Sequence, residues 1–187
     1  NYFTEKQKEN PSFKIIFLLM GEPNIPNWII EKLYPFAEKM YLDNNTYEDP
    51  KIGYMPIGLR DGEEIHPDHK HFTGQFIINE IQKEREKEIL CLLCFSYTHP
   101  ERKKCENVLG NKDFILNLNK SNEYNGQPSI HCGKVPVTIN YEYTHKSCYA
   151  LSPSGVGEAT HKLYEAIALK TIPIVKRTNT PFDFIYD

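Results

Sequence analysis

The sequence of 187 residues contains no run of eighteen apolar residues, the length from which a membrane-spanning helix is predicted. It has no basic stripe of the kind that binds nucleic acid, and its 22 lysines and arginines are outnumbered by 25 aspartates and glutamates. Cysteine is scarce: five residues stand at positions 91, 94, 105, 132 and 148. An odd number in a chain of this length argues against a disulfide-built scaffold and favours free thiols in a reducing compartment.

Apolar runs alternate with helical patterns along most of the chain, which is typical of an α/β protein. Strands are predicted near residues 13–20, 40–42, 52–59, 89–95, 114–118, 149–151 and 172–175. Helices are predicted from Asn27, over residues 72–87, from Pro100 to Gly110, and from Glu158 to Thr171. Residues 131–143 fit either a strand or a helix. The alternation over residues 52–176 predicts right-handed βαβ units, a parallel sheet and helices on both of its faces.

The most informative stretch is residues 148–176, which reads as strand, glycine loop, amphipathic helix and strand. Gly155 and Gly157 allow a tight turn and the close approach of a ligand to the backbone. The helix that begins near Glu158 turns its free N–H groups and the positive end of its dipole toward the loop. A phosphate group is the usual ligand at such a place.

The helix of this stretch has two distinct faces. One face is apolar and should pack on the sheet: Ala159, Leu163, Ala166 and Ile167. The other is polar: Glu158, His161, Lys162 and Glu165. The pattern alone favours a solvated polar face, linked by pairs of opposite charge four residues apart.

Four elements of this stretch form a recognisable pattern: Ser152-Pro153-Ser154-Gly155, the basic Lys162, Glu165-Ala166 and Ile172-Pro173-Ile174-Val175. Together they resemble the donor-binding core of exostosin-like glycosyltransferases, which have a two-Rossmann (GT-B) architecture. A looser similarity reaches back to residues 56–60. The chain departs from the family at Lys162, which is more often arginine, and at Lys170-Thr171, where glycine is common.

The resemblance implies a glycosyltransferase that uses a nucleotide-diphosphate sugar, most often UDP-linked, and a glycan acceptor, without a further cofactor. The residues that it points to for binding the donor are Arg60, Ser96, Arg102, Ser152, Ser154, Gly155, Val156, Lys162 and Glu165. Glu165 matches the carboxylate that holds the ribose hydroxyls in such enzymes, and a carboxylate can accept two hydroxyl hydrogens. His161 is a supporting candidate for the phosphates.

Arg102 also stands out on physical grounds. It falls in the first turn of a predicted helix, where a cation opposes the helix dipole unless an anion neutralises it. The loop that precedes it follows a predicted central strand, so its N–H groups should point into the same cleft as the Ser152 loop. The competing interpretation is an exposed arginine paired with Glu101 or Glu106.

The sequence lacks the Asp-x-Asp motif with which many glycosyltransferases hold a divalent metal, which favours a metal-independent mechanism. Positive potential for the departing diphosphate would then come from helix N-termini, Arg102 and Lys162. If the reaction inverts the anomeric centre, a base must take the proton of the acceptor. Asp61 and Glu63 are the candidates for this base, with Asp43 as a further one.

We expect residues 1–50 to be part of an N-terminal, acceptor-side domain and residues 51–187 to form the nucleotide-sugar-binding domain, truncated at its C-terminus. The first ten residues are polar and do not resemble a signal peptide. A cytoplasmic location is expected, or the Golgi lumen if an N-terminal anchor has been removed.

Three alternatives remain open at the level of sequence. A non-catalytic nucleotide- or carbohydrate-binding domain of the same fold is the main one, since Lys162 replaces arginine. An NAD enzyme is disfavoured because the glycine motif lacks its third glycine and the acidic residue about twenty positions later. A metal site is disfavoured because residues 66–71 lack a recognised ligand spacing, and because Cys91 and Cys94 should point to opposite faces of a strand.

Overall fold

The computed structural model describes residues 2–20, 25–43, 47–59, 73–120, 135–155 and 160–177, which form two compact units. The first unit holds the described residues up to Ile57 together with Arg177, and the second holds those from Gly58 to Lys176. Each unit contains its own parallel sheet, of three strands in the first and four in the second.

The first unit is a three-stranded parallel sheet in the order β1-β2-β3. Its elements are α1 (Tyr2–Glu9), β1 (Ile15–Leu19), α2 (Asn27–Leu33), a 3-10 turn (Tyr34–Phe36), β2 (Ala37–Leu42) and β3 (Ile52–Tyr54). The strands expected at 13–20 and 40–42 are confirmed, whereas the one expected at 52–59 ends at Tyr54. The side chain of Trp28 is 62% exposed.

The second unit is a four-stranded parallel sheet in the order β5-β4-β6-β7, which confirms the predicted Rossmann-like α/β class. Its elements are α3 (Thr73–Ile81), β4 (Ile89–Leu93), α4 (Pro100–Leu109), β5 (Ile115–Asn117), a 3-10 turn (Leu118–Lys120), α5 (Val137–His145), β6 (Ser147–Leu151), α6 (His161–Ala168) and β7 (Ile172–Ile174).

Helices cover both faces of this sheet, as predicted. On one face Cys91, Leu93 and Phe95 pack against Cys105 and Leu109 of α4. On the other face Leu92 and Cys94 pack against Ile139 and Tyr143 of α5. Cys91 and Cys94 therefore lie in different cores, which confirms that they point to opposite faces of the sheet.

The strand order creates a switch point between β4 and β6. From β4 the chain first crosses to β5 on one side, and then returns to β6 on the other. The connections after β4 and β6 therefore run to opposite sides of these two strands, the arrangement in which open parallel sheets have a crevice at the carboxyl ends of the strands. Ligands of open parallel sheets bind in such a crevice.

Helix α4 begins and ends where local signals predict. His99 is the N-cap, and its Nδ1 atom accepts a hydrogen bond of 3.3 Å from the backbone N–H of Glu101. Pro100 occupies the first turn, where a missing N–H costs nothing, and Gly110 is the C-cap. Helix α3 ends at Ile81 instead of the predicted Lys87, and part of the stretch that fits either a strand or a helix forms α5.

Helix α6 ends at Ala168, before the predicted Thr171, in a Schellman motif. The N–H of Thr171 donates to the carbonyl of Ala166 at 2.9 Å, and the N–H of Lys170 donates to Ile167 at 3.0 Å. Lys170 adopts a left-handed conformation with φ of 55°. Glycine is the usual residue there because it carries no Cβ, so the lysine stores strain.

Lys87 and Thr171 join the ends of α5 and α6 at the amino-terminal edge of the sheet. The Nζ atom of Lys87 donates to the carbonyl of His145 at 2.7 Å and to Thr171 Oγ1 at 3.0 Å. The Thr171 hydroxyl in turn donates to the carbonyl of Thr144 at 2.5 Å. These contacts satisfy carbonyl groups that a helix C-terminus leaves unpaired.

Strand β7 is the last strand of the sheet as far as the structure describes it. Ile172 and Ile174 are 59% and 42% exposed, although a short apolar run such as 172–175 is typical of a buried strand. The carbonyl of Ile174 accepts a hydrogen bond of 2.9 Å from the N–H of Ser152, at the end of β6. Since backbone groups alternate along a strand, those of Pro173 face away from β6.

Candidate anion-binding site at the switch point

Two loops meet at the switch point through Arg102 and Gly155. Arg102 lies in the first turn of α4, after the loop that follows β4, and Gly155 lies in the loop that follows β6. A Cβ atom on Gly155 would stand 2.9 Å from Nη2 of Arg102. The two turns to which the sequence points are therefore neighbours, and the glycine makes room for the guanidinium group.

The loop after β4 fixes the orientation of Arg102. Its Nη1 atom donates to the backbone carbonyl of Ser96 at 3.0 Å, to Ser96 Oγ at 3.2 Å and to Thr98 Oγ1 at 2.9 Å. All three contacts use the same nitrogen. The edge formed by Nε and Nη2, which can bind two oxygens side by side, makes no hydrogen bond to the described residues.

Arg102 carries a largely buried charge that the described chain does not neutralise. Burial lowers the pKa of Arg102. Its Nε atom is buried and has no hydrogen-bond partner among the described residues, and none of their carboxylates forms an ion pair with it. Glu101 and Glu106, which the sequence offered as partners, pair with lysines instead. A buried cation without a counterion is costly, so the arrangement calls for an anion.

Thr160 supplies a second unsatisfied polar atom beside Gly155. It is the N-cap of α6, yet its side chain makes no capping bond. Its Oγ1 is buried without a hydrogen-bond partner in the described part of the chain, and its methyl group lies 3.3 Å from the Cβ position of Gly155. Buried hydroxyl groups normally find a partner, so this oxygen also points to a ligand.

The structure describes both serines of the loop after β6, Ser152 and Ser154. Ser152 is buried, and its N–H is used by Ile174 of β7. Its hydroxyl has only a long contact of 3.5 Å with the carbonyl of Ala150. Ser154 is half-buried. Val156 lies outside the described residues.

The polar face of α6 packs against α5, so the expectation of a solvated face is wrong. Lys162 Nζ donates to Asn140 Oδ1 at 2.9 Å, and the hydroxyl of Tyr141 donates to Glu165 Oε1 at 3.0 Å. Leu163 and Ala166 are buried on the opposite face, as predicted, whereas Ile167 is 49% exposed. Glu158 and Ala159 lie outside the described residues.

Lys162 and Glu165 lie near the carboxyl end of β4. Burial raises the pKa of Cys94, which follows β4; the positive charge of Lys162 opposes this effect and the negative charge of Glu165 adds to it. Both charges are therefore close to the edge of the sheet where the two loops stand. No hydrogen bond or ion pair between described residues joins Glu165 to Arg102.

His161 touches the connection that leads to the predicted catalytic residues. Its Nδ1 atom lies 3.0 Å from the carbonyl oxygen of Gly58, whose φ is 67°. The segment that follows Leu59 carries Arg60, Asp61 and Glu63, and all three lie outside the described residues. The other candidate base, Asp43, is buried in the first unit.

Three residues of this region are missed from the sequence: Thr98, Asn140 and Thr160. Thr98 could have been found from its place in the loop directly before a predicted helix start. Asn140 belongs to the stretch whose secondary structure was ambiguous. Thr160 carried no signal, because an unsatisfied hydroxyl is visible only in three dimensions.

No cluster of three or more metal-binding side chains occurs within the described ranges. Residues 66–71, with their three histidines, fall outside those ranges. None of the helices in the parts of the chain that the structure describes is long and apolar enough to cross a membrane.

Comparison with known proteins adds no relative. No family model matches the chain, and no curated protein matches it. The fold class and the contacts of the switch point are therefore the basis for assigning a function.

Proposed function

We propose that the second unit binds the diphosphate of a nucleotide-diphosphate sugar, a UDP-sugar, and that the protein is a glycosyltransferase. The observation that carries the proposal is the guanidinium group of Arg102, which is desolvated and has no carboxylate counterion among the described residues. It stands at the switch point of a Rossmann-like sheet, where such sheets bind their ligands.

A diphosphate suits the donors on this side of the sheet. The free edge of the Arg102 guanidinium offers two N–H groups in a fork that matches two phosphate oxygens. Gly155 carries no side chain that would cover this edge. The hydroxyl of Thr160 and the amino-terminal N–H groups of α4 and α6 add further donors to the same crevice.

Glu165 is the residue that we assign to the ribose of the nucleotide. Tyr141 is 2% exposed and holds one carboxylate oxygen of Glu165 with its hydroxyl, which orients the group. The second oxygen makes no hydrogen bond to the described residues and remains available for a ribose hydroxyl. Hydrogen bonds to a carboxylate are about twice as strong as those between neutral groups.

Transfer of the sugar creates negative charge on the departing diphosphate, while the sugar ring takes on oxocarbenium character. Arg102 is already oriented toward that charge by Ser96 and Thr98, so little reorganisation is needed. We therefore assign a metal-independent, inverting reaction with a glycan as the acceptor. Asp61 and Glu63 stay predictions for the base.

Calorimetry with UDP tests the proposal on the complete chain. We expect binding by the wild type, and a loss of about 1.5–3 kcal/mol in binding free energy for Arg102→Gln, because a charged hydrogen-bond donor is removed. Lys104→Gln is the matched control: it removes the same charge from the same helix, at a side chain that is 71% exposed. Wild-type protein that is folded and does not bind millimolar UDP would falsify the proposal.

A non-catalytic binding domain is the second candidate, favoured by one observation. The ammonium group of Lys162, which stands where the resembled family has arginine, is bound by Asn140 of α5. Release of UDP from a panel of donors and acceptors separates the two functions. Turnover requires an enzyme, whereas UDP binding without turnover supports the binding domain.

A further inference from the structure

We propose that His161 is the proton acceptor of the transfer reaction, with its Nε2 atom as the basic nitrogen. This inference rests on the proposed function and deepens it, since it assigns the base to a described residue. The observation behind it is the contact of 3.0 Å between Nδ1 of His161 and the carbonyl oxygen of Gly58.

The contact decides which ring nitrogen carries the hydrogen. A carbonyl oxygen can only accept a hydrogen bond, so Nδ1 of His161 must donate. A neutral imidazole has one N–H group, so Nε2 then carries the lone pair. Histidine residues that act as bases are commonly held in this way, with one nitrogen oriented by an acceptor and the other left free.

His161 directly follows a residue of the anion site in the chain. His161 is the first residue of α6 and directly follows Thr160, whose methyl group lies against the Cβ position of Gly155. The His161 side chain is half-buried, and Nε2 makes no hydrogen bond to the described residues. Gly58 holds its end of the contact in a left-handed conformation that favours glycine.

The reaction step balances without a further reactant. The O–H bond of the acceptor hydroxyl breaks, and its proton goes to Nε2 of His161. The hydroxyl oxygen forms the new bond to the anomeric carbon, while the bond from that carbon to the diphosphate oxygen breaks. The electron pair of that bond leaves with UDP, whose charge Arg102 stabilises, and the imidazolium later releases its proton to water.

Nitrogen NMR of the complete chain tests the tautomer without any need for turnover. Long-range proton–nitrogen spectra should show His161 with a protonated Nδ1 and an unprotonated Nε2, and the His161→Gln spectrum assigns the signals. Addition of UDP should shift the Nε2 signal. A protonated Nε2 in the neutral ring overturns the proposal, and so does an Nε2 signal that UDP leaves unchanged while Arg102-dependent binding is measured.

Two substitutions of His161 distinguish its role as a base, at Nε2, from its hydrogen bond to the Gly58 carbonyl, at Nδ1. His161→Asn places an amide N–H where Nδ1 stands and keeps the donor to Gly58, but offers nothing at the position of Nε2. His161→Gln places its amide near Nε2 and loses that donor. We expect His161→Asn to bind UDP within about twofold of the wild type and to lose turnover by about 10²- to 10⁴-fold, the usual share of general base catalysis. If the hydrogen bond to Gly58 is the only role of His161, turnover falls only in His161→Gln, and this result overturns the proposal.

The outcomes for the two proposals are distinguishable. Absence of UDP binding by the wild type removes the proposed function, and this inference with it. UDP binding and wild-type turnover together with an active His161→Asn variant remove this inference alone. In that case a loss of turnover in Asp61→Asn would assign the base to Asp61.

Discussion

The Nη2 atom of Arg102 lies 2.9 Å from the point that a methyl group on Gly155 would occupy. Gly155→Ala must therefore move the guanidinium group. Because that group ends a flexible side chain, we expect only a small loss of stability. The affinity for UDP should fall by about 1.5–3 kcal/mol, as for the loss of a charged hydrogen bond.

Calorimetry with UDP and a thermal unfolding curve check this expectation. Lys104→Gln is the control, since it changes an exposed side chain of α4 and leaves the loop after β6 intact. Unchanged UDP affinity in Gly155→Ala would show that Arg102 does not bind the phosphates from its described position.

Thr171→Val tests the junction at the amino-terminal edge of the sheet. Valine keeps the shape of threonine, but removes the hydroxyl that donates to Thr144 and accepts from Lys87. Both partners would stay buried or half-buried without this hydrogen bond, so the free energy of unfolding should fall by about 1–3 kcal/mol. Urea denaturation measures it, and Thr171→Ser, which keeps the hydroxyl, should retain most of the stability.

Lys170→Gly should make the protein more stable. Lys170 has φ of 55°, where a Cβ atom costs roughly 1–2 kcal/mol. Glycine removes this strain, although it also gives the unfolded chain more freedom, worth about 0.4–1 kcal/mol. A net gain of up to about 1.6 kcal/mol is expected in urea denaturation. Lys170→Ala keeps the strain and should bring no gain; an equal gain for alanine and glycine contradicts the explanation.

His145 should make stability depend on pH near neutrality. Burial lowers the pKa of His145, nearby Lys87 and Lys170 lower it further, and Glu80 opposes them. In the unfolded chain histidine titrates near pH 6.5, so the unfolded state binds more protons as the pH falls below about 6.5. The stability that the neutral side chain contributes is complete above that pH and is lost below it.

Urea denaturation between pH 7.5 and 5.5 checks this prediction, with His145→Gln as the comparison. The wild type should lose stability toward pH 5.5 more steeply than the variant. Glu80 acts at lower pH: burial would raise the pKa of Glu80, but hydrogen bonds from Arg85 and Lys83 outweigh it and lower the pKa. Equal slopes for the two proteins would remove His145 as the cause.

The sequence predicts those features that local signals determine. The start and end of α4 follow from His99, Pro100 and Gly110, which act within one turn of the chain. The polar face of α6 was misjudged, because its partners Asn140 and Tyr141 lie on a helix that the sequence left ambiguous. Helix periodicity shows which side chains share a face and does not show what covers it.

At the candidate site, too, the sequence predicts what local signals determine and misses what depends on contacts distant in the chain. Arg102 could be singled out from the sequence because a cation in the first turn of a helix opposes the helix dipole. The contact between Arg102 and Gly155 depends on the strand order, which brings the ends of β4 and β6 together. Thr160 could not be predicted, because an unpaired hydroxyl is recognised only when its surroundings are known.

Pro173 gives the exposed side of β7 a protection against aggregation. A strand with outward-facing N–H groups and two exposed isoleucines invites another chain to add to the sheet. Proline has no N–H group, and the backbone of Pro173 faces away from β6, so an incoming strand finds no donor at the centre of β7. Within the described part of the chain, one imino acid thus removes the central donor of this border and disfavours the addition of another strand, while Ile172 and Ile174 stay exposed.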